Sequence, residues 1–190
     1  MTTKMHVYRF IVFLSLLVSS YSTAGDQAII HIDNNVDYLV PEGSPVKLAS
    51  IGQYHLVSFE GQFILTGTYH YGYLNADAPE NEATYNNLEL YFLPAQKIAN
   101  QLPHWKQRGK VHEMWFSNPD EFINTVIPEK IVEQLKRKEK LSVTGKVSIL
   151  VNNYRVSIEC DYPAYSVHFV SVYKPSNFHV GNATIQQYGC

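Results

Sequence analysis

Tyr69, Tyr71 and Tyr73 alternate along Gly61–Leu74 (GQFILTGTYHYGYL), a stretch rich in β-branched and aromatic residues, so as a strand they share one face. Tyrosine rings on an open face stack well against sugar rings, peptide or a partner protein. Which face they occupy turns on Gly67. Counted by twos from Phe63 and Leu65, the tyrosines belong with the core. A bulge at Gly67 flips that parity and exposes Tyr69, Tyr71 and Tyr73 as a binding row. A bend or bulge at Gly67 is the expectation, with Phe63 and Leu65 inward and the tyrosines outward beside the polar loop Asn75–Asn87.

Other reactive types are present without a complete constellation. Glu113 on an aromatic stretch, and Glu159 with Asp161, are the carboxylates to inspect for glycoside hydrolysis, whose geometry only the fold can supply. No Gly-x-Ser-x-Gly turn marks a nucleophilic serine. His112-Glu113 begins like a zinc-protease motif, but Phe116 stands where the second histidine belongs. His104 and His112 flank a basic loop, and His31 and Asp33 lie two apart on a candidate strand; neither pair is a ligand set. Gly61, Gly67 and Gly72 sit within a strand rather than ahead of a helix, so no phosphate loop is read. No metal site and no cofactor are expected.

Cys160 and Cys190 gain meaning from the start of the chain. Lys4 and Arg9 precede the apolar run Phe10–Val18, and Ser22-Thr23-Ala24 supplies small residues before Gly25, the pattern of a signal peptide over residues 1–24. The expected destination is the periplasm or the exterior, where an even cysteine pair reads as a disulfide. That bond would close a loop of about 30 residues, worth roughly 3–4 kcal/mol by loop entropy, and tie down the tail from residue 176. The absence of a Cys-x-x-Cys spacing favours a structural bridge over a redox pair. Asn182-Ala183-Thr184 matches a glycosylation acceptor, relevant only in a eukaryotic host.

Without its signal the chain of 190 residues becomes 166, enough for one domain with a core. Apolar content of 45% against 17% charged residues excludes general disorder. The signal holds two basic and no acidic residues, so 13 basic side chains face 17 acidic ones. A net charge of −4 gives no electrostatic reason to bind nucleic acid. The visible basic cluster, Lys136-Arg137-Lys138 with Lys140, falls at a helix end, where cations complement the last carbonyls. No stretch reaches the 18 or so apolar residues of a membrane span.

The elements follow from local pattern. Residues 25–50 read as a lead-in with a strand at Ala28–Ile32. Strands are expected at 61–74, Leu88–Leu93 and Val111–Ser117, with a short helix over Ala95–Leu102. Asn118-Pro119-Asp120-Glu121 is a helix start, and Ile127, Ile131, Val132 and Leu135 place one apolar face on a helix continuing to about Lys140. Leu141–Val151 and Tyr154–Cys160 read as strands around a tight turn at Asn152-Asn153, followed by a strand at Ala164–Tyr173. This order of three strands, helix and hairpin, with a long first strand bearing a central glycine and with Val143-Thr-Gly-Lys-Val147, resembles exported bacterial OB-fold-like domains over residues 55–173. The resemblance implies a mainly β protein with one or two helices, built as a five-stranded Greek-key barrel over residues 51–175. A small β-sandwich with a helix on one edge is the competing architecture.

No activity comes with that resemblance. The leading expectation is an exported, non-enzymatic binding module for a cell-envelope component or another exported protein. A small exported hydrolase using carboxylates and a structural envelope module without ligand are the alternatives.

Overall fold

A computed structural model of the chain describes residues 28–33, 36–74, 87–159 and 162–185. The expected signal peptide, the polar loop apart from Asn87, Asp161 and both cysteines of the expected disulfide lie outside the described residues.

The described residues form a mainly β structure of ten strands and three α-helices. The strands are β1 (Ala28–Asp33), β2 (Val36–Val40), β3 (Lys47–Ile51), β4 (Val57–Glu60), β5 (Phe63–Tyr73), β6 (Leu88–Pro94), β7 (His104–Trp105), β8 (Trp115–Phe116), β9 (Ser142–Glu159) and β10 (Tyr162–Gly181). The helices are α1 (Gln96–Ala99), α2 (Pro119–Val126) and α3 (Glu129–Lys136). Among the described residues no helix is long and apolar enough to cross a membrane.

β9 organises the larger sheet. One edge pairs with β10; the other pairs with β5 from Ser142 to Val151 and then with β4 from Tyr154 to Val156. A single 18-residue strand serves two consecutive partners because it is kinked at Asn153, whose φ is +50°. Asn153 does take the positive φ expected of it. It makes an irregularity inside one continuous strand, however, rather than the turn of a hairpin. β10 pairs in parallel with β8, and β5 pairs with β6. The sheet is not closed into a barrel: β6 and β8 share no ladder and are linked through one bridge, Phe92 with Met114. A smaller sheet has the order β1-β2-β7.

The core lies on the inner face of β5 and β9. Strict alternation sends Leu65, Tyr69, Ile149 and Val151 inward, into one core cluster with Phe122 and Ile123 of α2 and Val132 and Leu135 of α3. α2 starts with Pro119 in its first turn and Asp120 and Glu121 near its positive end, as expected. Asn118 caps it without a side-chain cap bond. Its carboxamide instead pairs with strand backbone: Nδ2 donates to the Phe169 carbonyl at 2.9 Å, and Oδ1 accepts from the Phe169 N–H at 2.8 Å. A two-residue β8 leaves those groups of β10 without a ladder partner, and Asn118 extends the pairing by side chain.

The segment at 25–50 contributes Val36, Tyr38 and Val46 to the core. The Tyr38 hydroxyl donates to the His55 carbonyl at 2.9 Å, which anchors the β3–β4 turn. That turn needs the anchor, because Tyr54 and His55 have φ of +54° and +60°, a region that bulky residues avoid. Two-residue turns of this hand favour Asn-Gly. Replacing Tyr54-His55 by Asn-Gly should therefore raise the urea midpoint, by about 1–2 kcal/mol of stability. Tyr54 is 87% exposed, so its ring contributes little packing to lose.

Candidate functional site

The tyrosine row is interior. β5 and β9 pair residue for residue from Phe63 through Gly72 with no register shift at Gly67. Parity is therefore kept, and Tyr69 and Tyr71 are 0% and 5% exposed, like Phe63 at 5%. Tyr73 is buried as well, with the Lys138 ammonium 5.3 Å from its ring centroid. Burial pushes the Tyr71 hydroxyl up to about 12, with lesser contributions from Asp120 and Tyr73. The expected exposed row of Tyr69, Tyr71 and Tyr73 is thus corrected to a core layer. The physical reason is that Gly67 serves close approach rather than a bulge. A Cβ on it would meet the Leu93 carbonyl oxygen and the Phe92 ring of β6.

The same parity turns the residues between the tyrosines outward. Thr66, Thr68 and His70 lie on the outer face of β5, opposite Ser148, Lys146 and Thr144 of β9. β10 continues these rows with Lys174 beside Ser148, Asn177 beside Lys146 and His179 beside Thr144. On the far side β6 places Tyr91 opposite His70. One row thus crosses four strands in the order Tyr91, His70, Thr144, His179, with neighbouring strands about 5 Å apart.

Within that row His70 is held in place. Its ring stacks on Tyr91 with centroids 4.8 Å apart and planes 7° from parallel, and its Nδ1 lies 3.3 Å from Thr144 Oγ1. Tyr91 is fixed from behind by a small apolar cluster with Leu74 and Ile185. Two tail contacts support that cluster: Ser142 Oγ donates to the Ala183 carbonyl at 2.5 Å, and the Ile185 N–H donates to the Tyr73 carbonyl at 2.9 Å. Two rows along, Thr66 Oγ1 and Ser148 Oγ lie 2.9 Å apart. The face therefore presents hydroxyl, imidazole, amide and ammonium groups on a paired sheet. Such a surface is suited to holding a polar ligand by many hydrogen bonds.

Partial burial lowers the His70 pKa from its ordinary value, because the protonated ring loses hydration. The unfolded chain then takes up the proton first as pH falls. The contribution of neutral His70 to stability is full above about pH 6.5 and is lost as pH drops through the lower folded value. Urea midpoints measured between about pH 7.5 and 5 should fall more steeply for the wild type than for His70→Gln. Parallel curves would show that His70 is as hydrated folded as unfolded.

The remaining candidates are dispersed. His31 Nδ1 is 2.7 Å from Asp37 Oδ1 across the β1–β2 ladder, an exposed cross-strand pair to which Lys106 Nζ adds at 3.8 Å. The His104 Nδ1–H donates to the Leu102 carbonyl at 2.9 Å. Glu159 accepts from Ser157 Oγ at 3.3 Å, and Glu113 holds its carboxylate oxygens away from solvent just before the Phe92–Met114 bridge. Among the described residues no three His, Cys, Asp or Glu side chains gather as a metal site would require. At the end of α3, Arg137 pairs with Glu139 at 2.8 Å and Glu133 at 3.6 Å, consistent with a solvated helix end.

Thr66, Thr68 and His70 alternate with the tyrosines in the sequence and so lie outside the set of rings expected to bind. The same period-two count was the available signal. No family model, no curated protein and no solved structure matches the chain.

Proposed function

We propose that this protein is an exported, non-enzymatic binding module that holds a cell-envelope component, or another exported protein, on the outer face of β6, β5, β9 and β10. The observation that carries the reading is the four-strand row from Tyr91 to His179. The stack of His70 on Tyr91 steadies the sheet, and with Thr144 it also presents fixed polar groups on the solvent face. A signal-like N-terminus supports export, and the reading needs no cofactor.

An OB-like frame fits this reading. β6 flanks β5, β5 flanks β9, β9 flanks β10, and β10 flanks β8 in parallel; the Phe92–Met114 bridge leads from β8 back to β6. α2 and α3 fall between β8 and β9, where the OB-fold order places its helix. Barrels of this kind bind oligosaccharides and oligonucleotides on strand faces and loops.

The mature chain, beginning at Gly25, should retain a component from a cell-envelope extract. Thr66→Trp, which places a bulky ring at an exposed point of the face, should lose it. Mass spectrometry and sugar analysis of the eluates read the difference. Equal retention by both proteins, or retention of nothing by the wild type, would overturn the reading.

A further inference from the structure

We infer that the ligand of this face is an acidic glycan, a polysaccharide bearing carboxylates; the inference rests on the outer face being the binding surface. Its basis is a charge distribution that the whole chain does not share. Acidic residues outnumber basic ones in the sequence, 17 to 15. On the outer rows of β6, β5 and β10 and of the Ser142–Val151 stretch of β9 that pairs with β5, however, Lys146 and Lys174 stand with His70 and His179 against one acid, Glu89, which lies opposite Gly72 at the end of the face.

Lys146 and Lys174 are both exposed and sit on adjacent strands one row apart. Neither enters an ion pair among the described residues, whereas Arg137 and Lys106 do. Between and around them are the hydroxyls of Thr66, Thr68 and Ser148 and the amide of Asn177. Ammonium groups complement carboxylates, and neutral donor–acceptor groups complement the hydroxyls between carboxylates on a sugar chain.

The alternatives fit less well. A single-stranded nucleic acid needs a series of open rings to stack on; Tyr91 is buried between His70 and the Leu74–Ile185 cluster, which leaves Tyr173, beside Lys174, as an open ring next to these rows. An acidic peptide adds apolar side chains that want pockets, and these rows are mainly hydroxyl, amide and charged groups.

Titration calorimetry of the mature protein against polygalacturonate, with neutral dextran and poly-glutamate as comparators, tests this. Polygalacturonate should bind and lose roughly tenfold in affinity between about 50 and 200 mM salt, because exposed charges are screened. Lys146→Ala and Lys174→Ala should each weaken binding roughly threefold and together roughly tenfold, while Lys130→Ala, at an exposed position on α3, changes nothing. Dextran should not bind, and poly-glutamate should bind at least about tenfold more weakly than polygalacturonate. Equal binding of dextran would show that charge is irrelevant, and equal binding of poly-glutamate would assign the face to acidic peptides. An unchanged double variant would place the site elsewhere. If polygalacturonate fails to bind while the Thr66→Trp-sensitive envelope component is still captured, the acidic-glycan inference falls and the binding-module reading stands.

Discussion

Phe122→Ala should lower the stability of the folded chain by about 3–5 kcal/mol, the range for truncating a buried aromatic side chain. Phe122 is fully buried where α2 meets the sheet. It packs edge-on against Tyr69 of β5 and Phe169 of β10, each with ring centroids 5.5 Å away, and stacks on Phe116 of β8 at 4.5 Å. One side chain thus ties the helix to three strands. Such ring pairs add to the loss beyond area alone. An eight-residue helix is too short to persist by itself, so α2 depends on this docking. Urea unfolding followed by tryptophan fluorescence gives the loss. Phe178→Ala, at a ring on β10 that is 42% exposed, should cost under about 1 kcal/mol. A loss for Phe122→Ala as small as that of Phe178→Ala would mean that α2 is not seated on the sheet.

Features decided within a few residues were legible in the sequence. Leu88–Leu93 is β6 to within a residue, the Asn118-Pro119 start is that of α2, and Ile131, Val132 and Leu135 lie on α3, although Ile127 is extended between the two helices and α3 ends at Lys136 rather than near Lys140. Features decided by a distant partner were not. Gly67 has two local readings, and the choice is made by Phe92 and Leu93, which lie on another strand. Asn153 has the backbone angle expected of it, but whether positive φ turns a chain or kinks a strand depends on the partners beyond it. The basic run from Lys136 to Lys140 is conspicuous in sequence yet is partly neutralised by Glu133 and Glu139. The cations of the candidate face come from β9 and β10, and only strand register brings Lys146 and Lys174 together.

Gly67→Ala should cost about 3 kcal/mol, the upper part of the usual range for forcing atoms into a packed site. Gly67 lies outside the left-handed region, so the whole effect is spatial. The added methyl would strike the Leu93 carbonyl oxygen, which is backbone, and the Phe92 ring, which is fully buried with little room to swing. Gly43 offers the opposite case: its φ is +66° and a Cβ there meets nothing within 4 Å, so Gly43→Ala should show backbone strain alone, about 1–2 kcal/mol. Adding Phe92→Leu to Gly67→Ala should recover only part of the loss, because the carbonyl remains in the way. A Gly67→Ala loss under about 0.5 kcal/mol would mean that β6 lies farther from β5 than described. The functional stake follows from the register. Tyr91 reaches the His70 ring because β5 and β6 are paired, and a methyl at Gly67 would press on that same neighbour strand through Leu93 and Phe92. Gly67→Ala should therefore disturb the His70–Tyr91 stack and weaken ligand binding on the outer face even under conditions where the variant remains folded.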